Sequence, residues 1–293
     1  MPKPFRLVCI GRSGQVAQSL LDASRPELEV IALGRPGLDL AKPETVRDAL
    51  GAARPDAVVN AAAYTAVDQA ETDEAAAFAI NARGAQAVAE ACTTLGVPLV
   101  HLSTDYVYAG DKPSPYVESD PTDPQGVYAR TKLEGEQSTT VACPDAVIVR
   151  TAWVYSPFGK NFVKTMLRLA ETRDTVNVVA DQLGCPTYAP DIASACIQVA
   201  QRLAEGAEGR GGVYHYAGAG ETSWAGFAKA VFAGAGARGL PTAIVQEIPT
   251  SAYPTPARRP ANSRLDCSKL TKAFGVEPTP WRDGLERCLD RLA

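Results

Sequence analysis

Tyr128 and Lys132 stand four residues apart in Tyr128-Ala-Arg-Thr-Lys132-Leu-Glu-Gly-Glu, a segment that reads as helix, so both side chains leave one face. Such a pair can move a proton to or from a carbonyl oxygen. The ammonium is expected to favour phenolate and to draw the tyrosine down from its usual value of about 10. The spacing alone recurs by chance as a surface pair; two polar strand ends give it context. His101-Leu-Ser103-Thr104-Asp105 closes one apolar run with hydroxyls, one of which can bond a carbonyl beside the tyrosine. Asn60-Ala-Ala62-Ala63-Tyr64 closes another with small residues that leave room for a cofactor. Ligands of open α/β sheets bind at the carboxyl ends of the strands, so three separate segments point to one place.

The elements that would hold these residues alternate. Short β-branched runs at Phe5 to Ile10, Glu29 to Leu33, Ala57 to Ala62, Leu99 to Ser103 and Val147 to Arg150 are separated by helical patterns. That alternation predicts an α/β fold with a parallel sheet covered on both faces. Asp73 to Leu95 carries apolar residues at helical spacing and stops at Gly96 and Pro98, which predicts one long crossover helix. After about Tyr155 the elements shorten, Pro and Gly increase, and residues 205–212 read as a polar stretch of low order. The expected division is residues 1–155 as a dinucleotide-binding unit and 156–293 as a smaller, discontinuous unit that binds the substrate. Residues 186–204 return to the first, because the helix opened by Pro190 and Asp191 reads as another cover for the sheet.

The first strand runs into Gly11-Arg-Ser-Gly14-Gln-Val-Ala17 and then a helix. Gly11 permits the tight turn, Gly14 lets backbone approach a pyrophosphate, and Ala17 allows close packing on the sheet, with free N–H groups of the helix start holding phosphate. The fold this predicts is a doubly wound parallel sheet of the Rossmann type. Where NAD-preferring folds end the second strand with an acid, this chain has Leu33-Gly34-Arg35. A guanidinium there suits a 2′-phosphate and favours NADPH. Asp39 and Leu40, just downstream, are placed to meet the adenine, or else to cap the helix beginning near Pro43.

Composition narrows the field. The 293 residues are 46% hydrophobic with a net charge of -4, and the cations are scattered, so no footprint for a nucleic acid appears. No apolar run approaches the roughly 20 residues that span a bilayer, and residues 1–6 lead straight into a strand rather than a signal peptide; the expected location is cytoplasmic. The seven cysteines form no close pair, several lie in apolar runs as small hydrophobes, and the two histidines, His101 and His215, read as core or supporting residues. No metal site is expected.

Taken together, Gly11-Arg-Ser-Gly-Gln-Val, Asn60-Ala-Ala-Ala-Tyr-Thr-Ala-Val-Asp, Ser103-Thr-Asp-Tyr-Val-Tyr, Tyr128-Ala-Arg-Thr-Lys, Arg150-Thr-Ala-Trp-Val-Tyr, Gly159-Lys-Asn-Phe-Val, Asp181-Gln-Leu-Gly-Cys-Pro-Thr and Arg259-Pro-Ala-Asn-Ser-Arg-Leu-Asp resemble the extended short-chain dehydrogenases/reductases that act on nucleotide sugars. The resemblance spans nearly the whole chain. It implies hydride delivery from NADPH or NADH to C4 of a 4-keto-6-deoxy sugar on dTDP, giving dTDP-L-rhamnose, with Tyr128 protonating the oxygen. It implies that Thr104 polarises the ketone and that Lys132 holds the nicotinamide ribose, with Gly11, Gly14, Gln15, Val16, Ala62, Ala63 and Tyr64 also at the cofactor. By the same matching Val67, Asp105, Trp153, Asn161, Gln182 and Arg259 face the sugar nucleotide. Related dehydratases carry Asp-Glu after the catalytic threonine; here Asp105 is followed by Tyr106, so elimination of water lacks its second carboxylate. A reductase or epimerase for another nucleotide sugar, or a regulatory subunit without activity, are the alternatives. Some members of the family hold Mg2+ at a dimer contact, but no carboxylate cluster here marks one, and a homodimer is left open.

Overall fold

Period-2 burial in the first strand sets the architecture. In the computed structural model, which describes residues 3–206 and 211–293, β1 (Phe5–Ile10) turns Leu7 and Cys9 to one core and Val8 and Ile10 to another. A strand apolar on both faces belongs inside a covered parallel sheet. Its partners are β2 (Leu28–Leu33), β3 (Ala57–Asn60), β4 (Leu99–Thr104) and β5 (Val147–Thr151). Four further strands follow: β6 (Val154–Tyr155), β7 (Thr175–Val179), β8 (Leu183–Gly184) and β9 (Thr187–Tyr188). Then β10 (Gly212–His215) rejoins the main sheet, whose order is β10-β5-β4-β3-β1-β2, parallel throughout. The strands fall close to their predicted spans. Of the stretch 205–212 read as low in order, residues 207–210 lie outside the described residues, and Gly212 opens β10.

Helices cover both faces. On one side lie α1 (Gln15–Asp22), then α2 (Glu44–Ala53), α3 (Val67–Ala70), α4 (Glu74–Phe78), α5 (Gly84–Leu95) and α6 (Val127–Ala142) follow along the chain, with α2 and α5 on the face opposite α1. After α7 (Phe162–Ala170) comes α8 (Ala189–Ala204), which packs on α1 and buries Ile192 and Ile197 in the same core as Leu20. Burial of each such side chain contributes about 1.5–3 kcal/mol. A second core gathers Val163 and Met166 of α7 with Phe227 and Val231 of α9 (Trp224–Gly236), Val176 of β7, and Leu285 of the last helix. Between these, β11 (Thr222–Ser223) and β13 (Asn262–Ser263) flank β8, while β12 (Ile244–Ile248) runs parallel to β7. The chain closes with α10 (Ser268–Phe274) and α11 (Trp281–Asp290). All seven cysteines are buried. Among the described residues no helix is long and apolar enough to cross a membrane.

The crossover from Asp73 to Leu95 differs from its prediction as one continuous helix. It is α4, a π-helical turn over Ala79–Arg83, and then α5, which stops at Gly96 with φ 64°. The cause is long-range. Asn81 is buried, its Oδ1 accepts the Tyr64 N–H at 2.8 Å, and its Nδ2 donates to the Tyr64 carbonyl at 3.1 Å and to Thr131 Oγ1 at 3.0 Å. The widened turn feeds that side chain inward, between the loop after β3 and α6. Gly135 of α6 lies against the Asn81 carbonyl so closely that any Cβ would collide with it. The absence of a side chain at Gly135 is thus what lets α6 reach the sheet.

Candidate active site

The turn after β1 has the features a dinucleotide needs. Gly11 has φ +117°, a conformation L side chains rarely adopt, and Gly14 has open space where a Cβ would stand. Gly14 also precedes α1 without any side-chain cap, so the first N–H groups of the helix are available to a phosphate. Gln15 is anchored across the molecule: Nε2 donates to the Val154 carbonyl at 3.2 Å and Oε1 accepts Ser156 Oγ at 2.8 Å. Val16 points into the core, leaving its main chain at the turn. Arg35 is exposed beyond β2, and Arg12, also exposed, lays its aliphatic stem across Gly34. Two guanidiniums therefore flank the tip of β2, of which the sequence reading found one. Asp39 Oδ1 accepts the Ala41 N–H at 3.1 Å in the turn leading to α2, and Leu40 is a core residue. Ala61 and Ala62 begin the loop that faces Gly11; Ala63 and Tyr64 follow, and the Tyr64 hydroxyl donates to Asp73 at 3.0 Å.

Tyr128 and Lys132 lie one turn apart on α6, beside the end of β4. The expectation of an acidified phenol is corrected here. Burial pushes Tyr128 up to about 12, with the Thr104 hydroxyl opposing and Asp105 adding to the rise. Lys132 is not aimed at the phenol: Nζ donates to the Leu102 carbonyl at 2.7 Å and lies 3.4 Å from Nε2 of His101. Burial also lowers the lysine to about 8, against the pull of Glu136. Helical spacing set the two residues on one face, but a lysine reaches far enough to be claimed by another strand.

Thr104 Oγ1 donates to Asp105 Oδ1 at 3.1 Å and accepts the Tyr106 N–H at 3.2 Å. Asp105 is buried, its Oδ2 has no partner among the described residues, and desolvation raises it to about 6 against the neighbouring hydroxyls. The Tyr106 ring meets Tyr128 edge to face with centroids 5.8 Å apart. Beside them opens a cavity of about 750 Å³ between the main sheet and the second core, lined by Asp68, Tyr106, Trp153, Gln182, Trp224 and Arg259 among others. Val67 adjoins Tyr106 and Tyr128 at a small neighbouring pocket.

Trp153 is held in an unusual way. Its φ of +48° is left-handed, rare for a bulky residue, and its ring stacks on Trp224 with centroids 3.5 Å apart and planes 12° apart. Gln182 donates to Thr250 Oγ1 at 3.0 Å, and Arg259 pairs with Asp68 at 2.7 Å. Asn161 lies away from this cavity: it caps α7, accepting the Lys164 N–H at 3.2 Å and donating to the Ser156 carbonyl at 2.7 Å. Asp68, Trp224 and the supports of Lys132 were missed by the sequence reading; the last had a signal in Asn60 and His101, polar residues inside apolar runs.

A buried polar chain backs α6. Glu136 takes two bonds from Arg150, 2.9 Å from Nε and 2.6 Å from Nη2, and one from Ser103 Oγ at 2.5 Å. Arg150 Nη1 donates to Tyr108 at 2.6 Å, which meets His215 Nε2 at 2.7 Å. Among the described residues no group of three or more His, Cys, Asp or Glu could hold a metal ion.

Comparison with known proteins adds to this geometry. A family model described as the RmlD substrate binding domain matches residues 5–293. The dTDP-4-dehydrorhamnose reductase of Sinorhizobium fredii is 51% identical over 97% of this chain and 96% of its own length. That of Escherichia coli K12 is 40% identical, with 98% of each chain covered. The solved dTDP-4-dehydrorhamnose reductase of Bacillus anthracis, in complex with NADP, superposes with a TM-score of 0.90 at 34% identity, covering 98% of this chain and 99% of that one.

Proposed function

The chain belongs to the dTDP-4-dehydrorhamnose reductase family, and from that membership we propose that it reduces the C4 ketone of dTDP-4-dehydro-L-rhamnose to dTDP-L-rhamnose with NADPH or NADH. A bound reduced nicotinamide supplies hydride to the ketone carbon. Gly11, Gly14 and the uncapped start of α1 hold the pyrophosphate, while Arg35 and Arg12 meet the 2′-phosphate of NADPH. With its pKa raised to about 12, Tyr128 keeps its proton at neutral pH, the state a reductase requires of its acid. It gives that proton to the carbonyl oxygen, which Thr104 polarises. Lys132 orients the nicotinamide ribose. The unpartnered Asp105 Oδ2 accepts a sugar hydroxyl, and Trp153, Gln182 and Arg259 hold the nucleotide.

The same reading takes residues 1–155 with 186–204 as the cofactor unit and the remainder of 156–293 as the sugar-nucleotide unit. The β10 strand and α10, packed on the main sheet, argue for adding 212–215 and 268–274 to the first. Free, buried thiols suit the reducing cytoplasm, and association as a homodimer belongs to the same reading. The observation that carries the assignment is the contact of Tyr128 with Tyr106, which lines a cavity roomy enough for a nucleotide sugar. Oxidation of NADPH and of NADH is followed with dTDP-4-dehydro-L-rhamnose and other 4-keto nucleotide sugars. Cofactor oxidation with formation of dTDP-L-rhamnose is expected; oxidation with none of them overturns the reading.

A further inference from the structure

Lys132 sits at the end of a chain of buried polar groups whose proton positions can be worked out one from the next. At the far end, Asn60 at the tip of β3 has a fixed orientation, because its Oδ1 accepts the Ala62 N–H at 3.3 Å. Its amide nitrogen therefore faces His101 Nδ1, 3.1 Å away. An amide NH₂ only donates, so Nδ1 is the acceptor. His101 is 1% exposed, and burial with the nearby lysine keeps its pKa well below the usual value, so the ring is neutral. A neutral imidazole accepting at Nδ1 carries its proton on Nε2. That N–H points at Lys132 Nζ, 3.4 Å away.

An ammonium has three donors and no lone pair, so it cannot receive an N–H; a primary amine can. We propose that Asn60 and His101 form a tautomer lock that presents an N–H to Lys132 and biases this lysine toward its uncharged amine. The amine accepts from His101 and still donates to the Leu102 carbonyl, which lies 2.7 Å away. A charged Lys132 requires the imidazole proton to move to Nδ1 and Asn60 to turn over, losing its bond to Ala62. Lysine charge, histidine tautomer and asparagine orientation thus change together. Of the charged groups near Lys132, Glu136, one turn along α6, favours the ammonium. His101 acts as a positioning residue: it touches neither the reacting carbon nor the phenol.

The consequence for turnover rests on the reductase reading above, but the lock itself is read without turnover. The chain has only two histidines, so nitrogen NMR of the full-length, cofactor-free protein resolves each ring, with His101→Phe identifying its signals. The Nε2–H tautomer is expected for His101 at pH 9 to 10, where Lys132, lowered to about 8, is an amine. Finding Nδ1–H or an imidazolium overturns the proposal even if the enzyme is an active reductase. The second arm is the pH profile of kcat. Removing the opposing N–H in His101→Phe is expected to move the alkaline limb up by about one unit. A fall in kcat with the limb unmoved would leave His101 a packing role only and overturn the lock.

Discussion

Replacing Arg150 by Met leaves Glu136 as a carboxylate in a place built for an ion pair. The two side chains are 5% and 3% exposed and joined by two short bonds. Breaking a buried pair by removing one partner costs about 3–5 kcal/mol, because the remaining charge is uncompensated. That is a large part of a typical total of about 5–15 kcal/mol, and corresponds to a fall in Tm of about 5–8 °C for a chain of this size. The double variant Glu136→Leu with Arg150→Met buries no charge. Its remaining losses are the bonds to Ser103 and Tyr108, about 1 kcal/mol each. The double variant is therefore expected to be more stable than Arg150→Met alone, with a coupling of about 2–3 kcal/mol in a double-mutant cycle measured by urea denaturation. Additivity of the two single effects to within about 0.5 kcal/mol would refute the reasoning. Glu136→Leu also withdraws the charge that supports the Lys132 ammonium, so its alkaline activity limb should move to lower pH.

Tyr128→Phe removes the proton donor and should lower kcat by about 10²–10⁴ while NADPH binding, followed by nicotinamide fluorescence, is retained. Arg259→Ala, which frees Asp68 and removes a cation from the cavity wall, is expected to raise KM for the nucleotide sugar several-fold with KM for the cofactor unchanged. Replacing Arg12 and Arg35 together by Ala should raise KM for NADPH at least tenfold and leave that for NADH almost untouched. Acid stability follows from the histidines: His215 is lowered to about 3 and His101 lies well below its usual value. The unfolded chain takes up those protons as pH falls through 6.5 and the folded protein refuses them, so stability drops by about 2.7 kcal/mol per pH unit. Asp105, raised to about 6, binds a proton in the folded state first and offsets about half of that slope between pH 6 and 4. Urea denaturation across pH 5 to 7 checks the sign.

The sheet was legible because its strands are buried largely on both faces and so carry short apolar runs, from Leu7–Ile10 to Val147–Val149. The glycine turn was legible because Gly11 does a task no other residue does at φ +117°. What the sequence concealed depends on partners far along the chain. The π turn in the crossover helix is set by Tyr64 and Thr131 through Asn81, and local helical periodicity contains no trace of either. The phenol and the lysine share one helix, yet the direction of the phenol's shift was misread, since burial sets it and Lys132 turns to Leu102 and His101. Asn161 was drawn from a matching string, and its neighbours Ser156 and Lys164 use it as a helix cap.

Trp153 has a bearing on how a ligand is met. A left-handed tryptophan whose indole already lies flat on Trp224 has few rotamers left to lose, so that side of the cavity is rigid before anything enters. Little conformational entropy then has to be surrendered there on binding. Crystals grown with and without a nucleotide sugar should superpose at the indole pair.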